Sequence, residues 1–197
     1  MSRTQTTKLL TEVLISDRLR DRKYYAKEVT LDYSTDHTKR IDVMQFIPQG
    51  VIHISDIEKG IFICYEIKSC KDDVFSGNGL NFFGEKNYIV TTMETYRAIL
   101  SEINNGFLSR FISEHYPESS QHYGIMIPVP RRIDLRNSND LYEEFEKPTP
   151  FNGDPTNWKL WTAISCNEGS RDRSTVELLF CMLRSKHSSA NRRANDA

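Results

Sequence analysis

The chain has 197 residues, with 26 Lys and Arg against 27 Asp and Glu for a formal net charge of −1. Apolar residues make up 38% and charged residues 27%, and the 10 Phe, 9 Tyr and 2 Trp exclude a disordered or collagen-like chain. The charge balance also excludes a protein that coats nucleic acid by bulk positive charge. It leaves only local basic patches such as residues 1–40, with nine Lys/Arg against six Asp/Glu.

Residues 7 to about 20 read as a helix whose Leu9, Leu10, Val13, Leu14, Ile15 and Leu19 form a broad apolar face. Residues 24–31 and 40–47 read as two strands of a hairpin around a polar turn at 32–37. Ser55-Asp56-Ile57-Glu58 has the S-x-x-E form of a capped helical turn. After Gly60, residues 61–68 are apolar on both faces and suit a central strand covered on both sides. Residues 72–87, with Gly77, Gly79 and Gly84 among Phe75, Leu80, Phe82 and Phe83, read as a broken helix or structured loop.

Residues 88–91 then read as a strand and 93–103 as a helix capped by Thr92. Residues 124–129 read as a strand stopped by Pro128 and Pro130, and 158–165 as a last strand. Residues 173–183 read as a helix with Val176, Leu179, Phe180 and Leu183 on its apolar side, followed over 185–197 by a loose, polar and basic tail. The order implies one α/β domain over residues 1–184 with a mixed sheet.

Cys64, Cys70, Cys166 and Cys181 show neither a C-x-x-C pair nor metal-type spacing with the five histidines. No apolar run approaches the roughly 20 residues that a bilayer crossing needs, and the first residues do not resemble a signal peptide. A cytoplasmic protein with reduced thiols and no membrane partner is expected.

Three acids and one lysine stand where packing does not want them. Glu66 and Lys68 are two apart on the central strand, so both project from one face, opposite Ile61, Ile63, Tyr65 and Ile67. Asp42 lies on the preceding strand, on the face of Met44 and Phe46. On a helical wheel Glu12 falls inside the apolar arc of the first helix. Carboxylates converging at about 4 Å repel by roughly 4 kcal/mol per pair at an effective dielectric of about 20, a cost that a hard cation such as Mg²⁺ or Mn²⁺ offsets. A neighbouring ammonium, Lys68, supplies the last part needed for metal-assisted phosphodiester hydrolysis. The plainer alternative is a surface ion pair between Glu66 and Lys68 at a strand end, with Glu12 snorkelling.

Other candidates are weaker. Gly77-Asn78-Gly79 lacks the strand, helix and lysine of a phosphate-cradling loop. Cys64 reads as a structural thiol and the histidines as solvent-facing. Arg131, Arg132, Arg171, Arg173, Arg184, Arg192 and Arg193 either line a nucleic-acid groove or are solvated faces.

Asp42 followed by Glu66-Ile67-Lys68, after a helix carrying Glu12, resembles the PD-(D/E)xK nuclease superfamily, although Arg40-Ile41 stands where the name has a proline. The stretch from Glu12 to Asp21 resembles the first helix of the Holliday-junction-resolvase branch. The stretch from Glu66 to Phe75, followed by Lys86-Asn87-Tyr88-Ile89-Val90, is closer to the MmcB-like DNA-repair branch. The resemblance covers about residues 12–90. It implies a restriction-endonuclease-like α/β fold, with a mixed central sheet flanked by helices. It also implies a Mg²⁺-dependent nuclease, with Mn²⁺ able to substitute, acting on DNA in repair, recombination or phage and defence processing. Asp42, Glu66 and Lys68 would be catalytic, and Glu12, Asp42, Glu66 and the Ile67 carbonyl would hold the metal. Because many nucleases of this fold cut two strands as dimers, a homodimer is implied as well. The alternative is a catalytically degenerate nuclease fold that grips DNA or a protein without cutting.

Overall fold

The computed structural model describes residues 1–20, 24–50 and 52–195, with side chains described as far as Ser185. Six strands form one mixed sheet in sequence order. β1 (Tyr25–Leu31), β2 (Lys39–Ile47) and β3 (Ile61–Lys68) are antiparallel neighbours. β4 (Lys86–Thr91) and β5 (Gly124–Pro130) add in parallel, and β6 (Trp158–Ile164) closes antiparallel. The expected α/β architecture, a mixed sheet flanked by helices, is therefore present.

One face of the sheet is covered by α1 (Arg3–Leu14), which runs into a π-helical turn at Ile15–Leu19. Leu9, Leu10, Val13, Leu14 and Leu19 pack there on Val43, Tyr65, Ile67, Val90 and Leu160. Each fully buried leucine contributes roughly 1.5–3 kcal/mol. The helix starts a turn earlier than the apolar stripe suggests, because Ser2 caps it by accepting the Gln5 amide. In the π-helical turn, Asp17 accepts the Leu160 amide at 2.9 Å and Arg18 donates to the Leu160 carbonyl at 2.7 Å.

The other face carries two separate apolar clusters. α4 (Met93–Asn104) and α5 (Phe107–His115) pack over β4 and β5, with Ile99, Leu108 and Ile112 against Ile89, Ile125 and Ile127. α7 (Thr175–Asn195) packs over β1 to β3, with Leu178, Cys181 and Met182 against Val29, Met44 and Phe62. Glu66 and Lys68 share this face with Phe62 and Cys64, as the strand period requires. They emerge at the C-terminal end of β3. The remaining helices are α2 (Ile54–Glu58), α3 (Lys71–Val74) and α6 (Ser138–Glu146), with a 3-10 turn at Pro155–Asn157.

Several expectations are corrected. α5 and α6 fall in stretches to which the sequence reading assigns no element. α2 is capped by His53, whose amide donates to Asp56, and not by Ser55. Pro128 and Pro130 lie inside β5, opposite Leu160 and Trp158, beyond the last β4–β5 pair at Val90 and Met126. No neighbouring strand asks for an N–H there, so proline is tolerated. α7 continues to Asn195, through most of the segment read as a loose tail. Its buried side is Leu178, Cys181 and Met182, whereas the expected side is turned outward, with Val176, Phe180 and Leu183 exposed. Of the basic residues considered for a groove, Arg171 and Arg173 are held in internal ion pairs, and the Arg192 and Arg193 side chains lie outside the described residues.

Arg171 fixes the entry to α7. Its guanidinium lies over the Phe62 ring at 5.1 Å, forms an ion pair with Glu85 and donates to the Gly60 carbonyl. Glu85 in turn accepts the Phe62 amide at 2.7 Å, and both charged side chains are largely enclosed. Arg171→Ala leaves the Glu85 charge without its partner, so a loss of roughly 3 kcal/mol is expected in urea unfolding. Adding Glu85→Gln should recover part of that loss.

Candidate functional site

The β2–β3 ladder ends at the pair Val43–Tyr65; one step further would place Asp42 opposite Glu66. There the strands part. The Ile67 amide donates to the Asp42 carboxylate at 2.7 Å in place of a backbone carbonyl. On its other side Asp42 faces Glu28, a residue with φ of 53° that is skipped in the β1–β2 ladder between Lys27–Val43 and Val29–Ile41. A left-handed non-glycine residue inside a strand interrupts regular pairing, as a bulge does. Asp42 is thus held at a local opening of the sheet on both flanks.

Glu66 is fully buried. Its Oε1 accepts the Asn81 amide at 3.2 Å, while Oε2 is enclosed and receives no hydrogen bond. The Asp42 and Glu66 carboxyl groups lie close enough for their charges to interact. Burial first, and the Asp42 charge second, hold Glu66 well above its usual 4.5, against the opposing pull of Lys68 and the Asn81 amide. Burial likewise raises Asp42, opposed by the Ile67 amide and by Lys68 and Arg40.

Lys68 is also buried, and its Nζ donates to the Asn78 carbonyl at 2.6 Å. The plain surface-pair alternative therefore does not describe Glu66 and Lys68. The lysine is held by the glycine-flanked loop at 76–79. A Cβ added at Gly79, where φ is 73°, would lie 3.1 Å from Lys68 Nζ and 3.3 Å from Glu66 Oε2. Only a glycine lets the loop approach both groups this closely.

These groups form the floor of a cavity of about 890 Å³. Arg3 and Lys8 of α1 and Lys39 and Arg40 of β2 stand around it, with Thr4, Thr7, Thr30 and Thr38 between them. Asp73 of α3 lines it as well, but both of its oxygens are engaged, by the Ser69 amide and hydroxyl at 3.0 Å and by Arg3. Burial raises the Asp73 pKa, and the Ser69 and Arg3 contacts outweigh it, leaving the group below the usual carboxylate range.

Of the residues singled out in the sequence, Asp42, Glu66, Ile67 and Lys68 line this cavity. Ile67 contributes backbone, its side chain being buried under α1. Glu12 does not join them. α1 packs on the sheet face opposite Glu66, and its first two turns, not the turn bearing Glu12, reach the cavity. The Glu12 side chain is 44% exposed, with Lys8 Nζ at 4.0 Å. Lys86 faces Glu168 outside the cavity. Sequence reasoning missed Arg3, Lys8, Asn81, Asp73 and the buried Tyr116. None carries a local signal, since the cavity gathers them from α1, α3, the loop before β4 and the end of α5.

Two hard, anionic oxygen donors with one unpartnered oxygen suit a small divalent cation that keeps several waters. Among the described residues, no group of three or more His, Cys, Asp and Glu side chains surrounds a metal position.

The raised Glu66 pKa has a definite consequence for stability. Below pH 4.5 the group is protonated whether folded or not, and its contribution is fully present. As pH rises from there through the raised folded value, the unfolded chain releases the proton first and stability falls. Glu66→Gln keeps the site neutral. In the absence of divalent cations the variant should therefore melt higher than wild type, by a margin that grows from pH 4.5 towards neutrality; parallel melting curves across that range would contradict the buried-acid assignment.

Comparison with known proteins finds no matching family model, no matching curated protein and no matching solved structure.

Proposed function

We propose that this chain is a divalent-metal-dependent nuclease that hydrolyses phosphodiester bonds in DNA. The observation that carries the reading is the buried Glu66, with one orphaned oxygen, next to the half-buried Asp42 and the Lys68 ammonium in a cavity ringed by Arg3, Lys8, Lys39 and Arg40. Asp42 and Glu66 would hold Mg²⁺, or Mn²⁺ in its place, together with the Ile67 carbonyl. The ion supplies charge neutralisation at the phosphoryl group and a more acidic bound water. Lys68, anchored by the Asn78 carbonyl, orients the attacking water and offsets charge on the pentacovalent phosphorus. The four rim cations and the threonine hydroxyls bind flanking phosphates, the contacts that position a nucleic-acid backbone. Four free cysteines suit a reducing cytoplasm.

One observation favours a second reading. Glu12 is absent from the cavity and Asp73 is occupied, so the donor set is sparse, as in a degenerate site that grips DNA or a protein without cutting. Metal and cleavage separate the two. For the nuclease, millimolar Mg²⁺ or Mn²⁺ should raise the melting temperature, and Asp42→Asn should abolish the rise. Lys68→Ala should slow cleavage of labelled DNA by about 10²–10³-fold while leaving DNA affinity within a few-fold. Wild type and Lys68→Ala cutting equally well would refute the assignment, and DNA binding with neither metal shift nor cleavage would favour the second reading.

The Gly79 approach gives an independent check. Gly77 and Gly79 share a φ of 73°, but nothing lies within 4 Å of a Cβ at Gly77. Alanine at either position should cost about 1–2 kcal/mol in backbone strain. Only Gly79→Ala, which displaces Lys68 and Glu66, should also lose cleavage.

A further inference from the structure

Among the described residues, two buried side-chain oxygens lack a hydrogen-bond partner: Glu66 Oε2 and the Tyr116 hydroxyl. Both residues line the same cavity. Buried polar groups are rarely left unpaired, and two orphans facing one space point to a group that enters it. They are also of opposite kind. The carboxylate oxygen asks for a cation or donor, whereas the phenol offers a proton and asks for an acceptor.

Tyr116 terminates α5, with its amide donating to the Ile112 carbonyl and its ring packed against Phe111 in the α4–α5 cluster. Phenylalanine would satisfy that packing equally. The hydroxyl is what remains unexplained: it sits beside the Leu80 backbone without closing a hydrogen bond and feels the negative charge of Glu66. Burial, with the Glu66 charge adding to it, pushes the phenol up to about 12, so it stays protonated and remains a donor at any working pH.

We infer that the Tyr116 hydroxyl is a substrate contact, donating its proton in a hydrogen bond to a phosphoryl oxygen of the nucleic acid whose cation is held at Glu66. This rests on the nuclease reading and adds to it a neutral donor contributed from the end of α5. A phosphate accompanied by its metal ion answers both orphans at once, whereas neither the ion alone nor an unaccompanied phosphate does.

The test is Tyr116→Phe, with Tyr123→Phe as control, because the Tyr123 hydroxyl pairs with Ser109 outside the cavity. Without ligand, Tyr116→Phe should melt at or above the wild-type temperature, since it deletes a buried unpaired group, and its Mg²⁺-induced shift should be unchanged. Its kcat/KM on a labelled oligodeoxynucleotide should fall about 10- to 100-fold, as expected for a hydrogen bond to a charged group. Protection of the wild type by inorganic phosphate plus Mg²⁺, compared with the oligonucleotide, tells a general phosphate site from one that needs the polymer. Tyr123→Phe should retain wild-type kcat/KM. A lower melting temperature for Tyr116→Phe would make the hydroxyl structural and overturn the inference, as would unchanged turnover in an active wild type. A wild type that neither binds nor cuts DNA would remove the nuclease reading itself, and this inference with it.

Discussion

Where the β2–β3 ladder runs out at Val43 and Tyr65, the Ile67 amide needs an acceptor, and the Asp42 carboxylate provides it. That single exchange of a side chain for a backbone carbonyl has wide effects. It fixes Asp42 against β3, spreads two strands that would otherwise continue pairing, and leaves the enclosed Glu66 facing another acid. The enclosure is costly for a carboxylate unless the charge is compensated. The Lys68 ammonium and the Asn81 amide compensate it in part, and the orphaned Oε2 marks what is left over.

Packing elsewhere makes that opening tolerable. The face of the sheet that bears Glu66 is covered by two clusters rather than one, α4–α5 on one side and α7 on the other. Glu66 and Lys68 share this face with Phe62 and Cys64 at the C-terminal end of β3. The opposite face is closed by α1, whose first turns lend Arg3 and Lys8 to the cavity while its later turns serve only the core. One helix therefore supplies both stability and charge, from different turns.

Much of this was legible in the sequence. The alternation of β1 and β2, the doubly apolar β3 and the Thr92 cap of α4 are local patterns, and charges at positions 42, 66 and 68 stand out because their neighbours are apolar. Glu12 misled because a wheel reports angular position alone; it does not say which face of the sheet a helix covers or how far along it a cavity lies. α7 misled for a related reason: it carries two apolar stripes, and only the packing of Leu178 and Met182 on β1 to β3 decides between them. The helical spacing of Phe107, Leu108, Phe111 and Ile112 was a readable sign of α5. Tyr116 and Asn81 were beyond sequence reading, since their significance lies in atoms contributed by distant elements.

The outer strands carry a further implication. On β6, Asp17 and Arg18 occupy the amide and carbonyl of Leu160. On β1, Ser185 donates to the Lys27 and Glu28 carbonyls, and Arg184 to that of Thr30. Both margins of the sheet are stitched shut at these points by side chains of the same molecule. A second copy could not lengthen the sheet at these points by adding a strand without first undoing those stitches.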